Sequence, residues 1–349
     1  MPSERSVVAT AAIWRRPREL RSATATLLAI VAGALVLVPV LRWAVMDARW
    51  RGTAAECRAP GAGACWAFIG HKLPLILFGL YPVAERWRPA LATALVLLLL
   101  FVSAMPRFWS RALLGAWAVG VTAAFWLMHG GGGLPNVAPQ DWGGLPITLM
   151  LTTTGLALGF PLGVALALAR RSQLPVPRAI ATAVIEGVRG VPLVAVLYLS
   201  VLVVPLAFRQ GFSVDKLLLA QIGVTVFAAA YLAEAVRSGL QAIPRARLDA
   251  ALALGLGWWQ AIRLIVLPEA IRIVIPSLVS IAVGFFQDTS LIVIIGLFDL
   301  LNTARLAAQD PDWLGFYTEA YVFVGVIYFA GSAAMSRYGL WLERRLSRR

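Results

Sequence analysis

The sequence predicts an all-α integral membrane protein with about eight transmembrane helices, and three observations carry that prediction. Of 349 residues, 60% are hydrophobic and only 14% charged, whereas soluble domains are about half apolar and a quarter charged. Apolar runs recur that reach the roughly 20 residues a helix needs to cross a bilayer. Those runs are continuous, without the alternation of a barrel strand, and in lipid a helix satisfies its own backbone groups.

The runs place candidate spans at residues 23–44, 89–105, 112–128, 146–169, 179–206, 217–237, 272–297 and 317–340. The first follows "RRPREL". It is long for the apolar part of a signal peptide, and "VPVLRWAVM" offers no small-residue cleavage site, so it reads as an uncleaved anchor. In "FIGHKLPLILFGLYP" (68–82) the apolar core, Leu73 to Leu80, is too short to cross. It reads as an interfacial or re-entrant segment.

Orientation comes from the arginines. The net charge of +14, from 31 Lys+Arg against 17 Asp+Glu, would suggest nucleic acid in a soluble protein. Here the cations cluster between apolar runs, where they set topology instead. With eight spans, five groups share one side. They are Arg15, Arg16, Arg18 and Arg21; Arg107 and Arg111; Arg170, Arg171 and Arg178; Arg245, Arg247 and Arg263; and Arg344, Arg345, Arg348 and Arg349. That side is expected to be cytoplasmic, with both termini inside. Arg86 and Arg88 dissent, standing on the outer side with Asp47, Glu56, Asp141, Asp215, Asp310 and Asp312.

Two outer-loop features have ordinary readings. Cys57 and Cys65, in "ECRAPGAGACW", form a candidate disulfide worth about 2–3 kcal/mol in the chain-entropy model; the alternative is two unpaired thiols. "HGGGGLP" (129–135) lacks the Lys-Ser/Thr of a phosphate loop and reads as a flexible linker into the fourth span. It marks the join between an N-terminal extension, residues 1–140 with about three spans, and a core, residues 141–349 with about five.

Several chemistries are missing. The lysines, Lys72 and Lys216, are each followed by leucine, so no Walker loop exists. The histidines are His71 and His129 alone, and neither a metal set nor a nucleophile motif appears. Charges inside spans are few, and such residues are costly enough to be kept mostly for function. Glu186 with Arg189, and Glu234 with Arg237, are acid–base pairs three apart on one helix face, which suits mutual neutralisation at span ends. Asp288, in "FFQDTSL", lies some ~24 Å along a helix beyond Arg272. It either caps the outer end of its span or stands beside a translocation path.

Between the sixth and seventh spans lies "GLQAIPRARLDAALALGLGWWQAIRLIVLPEAIRIVIP" (239–276). Pro244 suits a first helical turn, Asp249 the N-terminal half, and Gly255 or Gly257 a stop. This predicts a cytoplasmic helix of about three turns within residues 244–257, then an amphipathic segment from Trp258 to Leu267. By physical reasoning alone it is either a surface helix or a docking helix.

The spacing Asp249-Ala250-Ala251, Gly255, Ile265, Leu267, Pro268 resembles the signature loop of permease subunits in ABC importers, with Asp249 in place of the usual Glu. "EGVRGVPL" (186–193), "YLAEAVRSGLQAIP" (231–244) and "QDTSLIVIIGLFDLL" (287–301) resemble the polar amino-acid class. "CRAPGAGACWAFI", "YPVAERWRP" and "DWLGFYTEAYVF" resemble the longer permease of general L-amino-acid systems. The resemblance implies an ABC type I importer permease core (MetI-like) in the C-terminal part, and a non-enzymatic chain in the bacterial inner membrane. It implies coupling through Pro244, Asp249, Ala250, Ala251, Gly255, Ile265, Leu267 and Pro268, with Gly255 allowing close approach of a partner and Pro268 ending the loop. The implied partners are two copies of a cytoplasmic ATPase carrying the ATP and Mg, a second related permease, and a periplasmic amino-acid-binding protein. No cofactor is implied in this chain. Glu186, Arg189, Gln287, Asp288, Thr289 and Ser290 are the implied substrate-path candidates, with Gln287 standing where relatives usually carry a cation. Two other classes compete. An ion-coupled carrier would need buried carboxylates and an internal repeat, and a structural subunit would have no pathway.

Overall fold

The protein is described here from a computed structural model, covering residues 16–207 and 214–347, with side chains from residue 24 to 346. Arg15, Arg348 and Arg349, and the side chains of Arg16, Arg18 and Arg21, lie outside the described residues.

The chain divides into two compact units, Met1–His71 and Lys72–Arg349. In the first, helix α1 (Arg16–Leu41) runs into a π turn, Arg42–Met46. Its apolar side chains, Leu27, Leu35 and Val36 among them, are exposed, as a lipid-facing surface requires. The following loop folds back on the turn. Cys57 and Cys65 are disulfide-bonded, Trp66 donates its indole N–H to the Ala44 carbonyl (2.7 Å), and the Trp66 ring packs against those of Trp43 and Trp50.

Helix α2 (Trp66–Phe78) has 13 residues, short of a span. Then come α3 (Trp87–Ala104), α4 (Arg111–His129), α5 (Gly144–Arg170), α6 (Pro175–Arg189), α7 (Leu193–Tyr198) and α8 (Lys216–Ala242). After these follow α9 (Arg245–Ala253), α10 (Trp258–Ala261), α11 (Leu267–Ile273), α12 (Ile275–Asp288), α13 (Leu300–Ala307) and α14 (Tyr317–Ser347). Among the described residues, seven helices are long and apolar enough to cross a membrane, or eight if one bent pair counts as a span.

The bent pair corrects the expected fifth span. Residues 179–206 are not one rod: Pro175–Arg189 and Leu193–Ala207 meet at 111°. The break falls at Gly190–Val191–Pro192, where proline disfavours α geometry in the residue before it. The chain still has to return across the bundle, because α5 and α8 are parallel. Gly155 faces Val224, Gly159 faces Ala228, and Gly163 faces Ala229 and Ala233, so both helices advance together. The return runs beside α8. Arg189 lies over the Tyr231 ring, and Ser200, further on, lies against Gly223, further back.

The α5–α8 seam is as close as backbones allow. A Cβ at Gly155, Gly159 or Gly163 would come within 2.9 Å of Val224, Ala228 and the Ala229 carbonyl respectively. Small residues every four positions let two helices approach this way, and in lipid such packing replaces the hydrophobic drive.

The sequence boundary at residue 140 falls inside the second unit. Tyr81, Val96 and Met128 from the hairpin α3–α4 share one core with Trp142, Ile147 and Leu151. Arg88 anchors that hairpin. Fully buried, it donates from Nε to the Leu127 carbonyl (2.6 Å), from Nη1 to Pro135 (2.8 Å) and from Nη2 to Met128 (3.4 Å). It thereby satisfies carbonyls at the end of α4 that lack intrahelical partners. Its dissent from the charge rule thus has a structural cause. Beside it, burial pushes the Tyr81 hydroxyl up to about 12, against the pull of Arg88. The glycines of "HGGGGLP" form a defined turn, with Gly130 to Gly133 all at positive φ. A Cβ on Gly130 would meet the Pro135 carbonyl at 2.2 Å and Arg88 at 2.8 Å. A plain flexible spacer would not need that.

At the same end of the bundle Asp299 is fully buried. It caps α13 by accepting from the N–H groups of Leu301 and Asn302, and it also accepts from the Tyr328 hydroxyl (2.7 Å) and Asn302 Nδ2. Four donors around one carboxylate meet the condition for keeping it in the interior. Lys72 pairs with Asp310 at 2.7 Å, and the hydrogen bond from that ammonium holds the Asp310 carboxyl below the usual carboxylate range.

Candidate functional site: an interhelical pocket and a projecting loop

Two features stand out, one between the spans and one beyond them. The first is a cavity of about 500 Å³ bounded by α7, α8 and α12 and the turn after α12. Phe227 and Tyr231 face it from α8; Ser280, Gly284 and Asp288 face it from α12. Those last three recur every four residues, one stripe of a helix, and Asp288 is the one charged residue of the lining. Asp288 makes no side-chain capping bond at the end of α12. Of the two expectations for it, capping is not what the structure shows, and Asp288 stands on the wall of a cavity.

The other path candidates scatter. Arg189 is not part of the cavity lining; its guanidinium lies 5.4 Å from the centre of the Tyr231 ring, which is. Gln287 is exposed and donates from Nε2 to Ser332 Oγ on α14 (3.2 Å). Thr289 is buried and donates to the Phe286 carbonyl (2.9 Å). The Ser290 carbonyl accepts from Asn302 Nδ2 (2.9 Å). Adjacent residues on a helix cannot share a face, so "QDTS" delivers only its aspartate to the pocket.

The Glu186–Arg189 pair is not formed. Glu186 binds Arg170 (2.6 Å), and Glu234 is the hub of a network reaching Arg237, Arg170 (3.6 Å) and Arg189 (3.7 Å). The break after α6 turns Arg189 toward α8, where Glu234 is the nearer acid. Sequence reasoning missed Arg170 as a partner, and with it Phe227, Tyr231 and Ser280. The four-residue recurrence of Ser280, Gly284 and Asp288 was a legible signal.

The second feature is the loop between α8 and α11. Pro244 is the N-cap of α9, which ends at Ala253 and so is shorter than the 244–257 expected. The end is a Schellman closure. The N–H of Leu256 bonds the Ala251 carbonyl (3.2 Å) and that of Gly255 the Leu252 carbonyl (2.9 Å), with Gly255 left-handed at φ +85°, as this motif requires. A Cβ at Gly255 would meet nothing within 4 Å. The glycine therefore has a sufficient local reason, its backbone angle, apart from any close approach by a partner.

Ala251 is buried at 2% exposure, while Asp249 and Ala250 are exposed and Leu254 is 82% exposed. One face of α9 is thus seated and the other is open. Arg247 on α9 lies 3.6 Å from Glu269 on α11. Ile265 and Leu267 are half-buried and Pro268 is exposed. Contrary to expectation, Pro268 does not end the loop. Helix continues from Trp258 to Ile273 through a π turn at Ile262–Val266. Proline removes one N–H donor from the ladder, and a wider turn just before it accommodates the loss. The break comes at Val274 (φ −99°, ψ 7°), ahead of Pro276.

Residues 159–348 match the family described as binding-protein-dependent transport system inner membrane component. Over 97% of its length the chain is 43% identical to the inner membrane amino-acid ABC transporter permease protein YhdY of Escherichia coli K12, covering 93% of that protein. The chain belongs to the amino-acid ABC transporter permeases. The glutamate/glutamine/aspartate/asparagine transport system permease protein BztC of Rhodobacter capsulatus is 35% identical over 84% of the chain and 83% of its own length. A crystal structure of an amino acid ABC transporter with histidines aligns at 26% identity and TM-score 0.50, covering 57% of this chain and 90% of its own. Within the permease family match lie the whole projecting loop and every pocket-lining residue.

Proposed function

We propose that the chain is the transmembrane permease subunit of an ATP-driven importer of L-amino acids, forming part of the translocation path and coupled to a separate ATPase through α9. The observation that carries this reading is the two-sided seating of α9: one face packs on the helical stretch Trp258–Val266 that follows it, with Ala251 buried, and the other end presents Leu254 outward. A helix held this way passes a push on its open face to the Trp258–Val266 stretch directly and to α11 through Arg247 and Glu269. Chemistry in this chain is not needed. ATP and Mg belong to the ATPase, in two copies, with a second related permease and a periplasmic amino-acid-binding protein completing the importer. Asp249, Ala250 and Gly255 lie toward the ATPase, and Pro244 starts the helix.

In the path, Asp288 meets the ammonium group that every amino acid carries, and Arg189, beside Tyr231, meets the carboxylate. Phe227 and Tyr231 supply apolar surface. Both termini lie in the cytoplasm, which puts Arg107, Arg170, Arg171 and the α9 loop inside and the Asp299 cluster outside.

The test is a crosslink from Leu254→Cys to the candidate ATPase in native membranes, with and without ATP; Cys57 and Cys65 stay engaged in their disulfide. A nucleotide-sensitive crosslink is expected. Its absence in a complex that copurifies and transports would remove α9 from the coupling mechanism.

A further inference from the structure

A second cavity, about 490 Å³, opens where α5 and α8 end, lined by Arg170, Arg171, Arg178, Thr182, Arg237 and Gln241. Neither the solute pocket nor the α9 loop uses it. Two carboxylates, Glu186 and Glu234, serve this region, and they are shared among Arg170, Arg237 and Arg189. The lining itself holds four guanidiniums, those of Arg170, Arg171, Arg178 and Arg237, against these two carboxylates, which leaves an excess of two positive charges. Arg171 spends one N–H on the Leu240 carbonyl (2.8 Å). The Arg178 side chain has no hydrogen bond or ion pair among the described residues. Cations packed this densely repel one another, and the arrangement is favourable once an anion sits among them. Arginine's planar fork suits an oxyanion.

Position decides which oxyanion. Helix α5 has 27 residues, about 40 Å of rise, against a hydrocarbon core of about 30 Å. Its last residues therefore stand at the level of the lipid phosphates. Helix α6 turns away from the return segment by 111°, and Leu174 just before it and Val176 and Ile180 on it are exposed at this end, apolar groups suited to acyl chains at the membrane boundary. Basic pockets between spans on this side are suited to anionic headgroups.

We infer that the arginine cavity between the ends of α5, α6 and α8 binds the phosphodiester of an anionic phospholipid, with Arg171 and Arg178 as its principal ligands. The inference rests on the membrane placement of α5 and α8, and the solute carried does not enter it. Failure of amino-acid uptake and failure of lipid binding are therefore separate results.

The experiment is native mass spectrometry of the full chain released from detergent with phosphatidylglycerol, with phosphatidylcholine, and with phosphatidylglycerol plus millimolar inorganic phosphate. Wild type is expected to retain phosphatidylglycerol in preference to phosphatidylcholine, undisturbed by phosphate. Arg178→Gln is expected to lower that retention roughly fivefold, the weight of one arginine at an anionic surface, and Arg178→Lys to keep most of it. Arg178 is exposed and unpartnered among the described residues, so its replacement leaves the fold intact, and an unchanged melting temperature checks this. Equal retention of the two lipids, or retention unaltered in Arg178→Gln, would overturn the lipid site. Displacement by inorganic phosphate would also overturn it, in favour of a soluble anion.

Discussion

The glycines of the α5–α8 seam and the glycine that closes α9 are the same residue kept for different physical reasons. Gly155, Gly159 and Gly163 have ordinary helical backbones and no space, since each Cβ would strike the neighbouring helix within 2.9 Å. Gly255 has space in every direction and a backbone at φ +85° that L side chains avoid. The seam is limited by its neighbours, the loop by its own torsion. Substitutions should therefore fail at the two places by different rules: by size in the seam, by backbone preference in the loop.

The sharpest way to break this comparison is Gly159→Leu. A side chain that overpacks the seam is expected to cost about 3 kcal/mol and to lower the melting temperature of the purified protein by many degrees. A variant that melts with the wild type would show that α5 and α8 are not held this closely. Arg88→Met comes next. It keeps much of the volume but leaves the Leu127, Met128 and Pro135 carbonyls without their donor, at a cost of about 2 kcal/mol, again read by thermal unfolding; no loss would mean that solvent reaches those groups.

Gly255 sharpens the contrast. Asparagine tolerates the left-handed region and valine does not, so Gly255→Asn should keep most ATP-dependent uptake while Gly255→Val loses stability by about 1–2 kcal/mol and uptake with it. If asparagine abolished uptake in a normally folded protein, clearance for a partner would be the real constraint. The smallest effect concerns pH. The Asp310 carboxyl is held low by Lys72, so its contribution is complete above the ordinary carboxylate range and is lost as pH falls through the depressed value. Lys72→Met should lower the melting temperature at neutral pH, and the gap to wild type should narrow in strong acid. A gap that stayed constant would sever the pair from stability.

The same contrast explains what could be read without coordinates. Long apolar runs announce helices, since a bilayer leaves few alternatives, and the loop was legible because Pro244 and Gly255 act on their own backbone. "GLALGFPLG" (155–163) carried the seam in plain view, but a glycine repeat does not name its partner. The bend after α6 was hidden inside an apolar run, which hydropathy reads as continuous. Arg88 looked like a misplaced topological charge because its carbonyl partners lie some 40 residues away in the chain.

By itself, then, the sequence determined the elements governed by nearest neighbours and by solvent: helices of spanning length, the start of α9 at Pro244 and a glycine stop at Gly255 or Gly257, of which the structure uses the first. Tertiary structure alone decided that α5 and α8 run parallel, that Glu186 answers Arg170 and not Arg189, and that Asp288 alone of its tetrapeptide reaches the pocket. Those outcomes depend on which face of each helix meets which other, a matter of packing between residues far apart in the chain that no local pattern specifies.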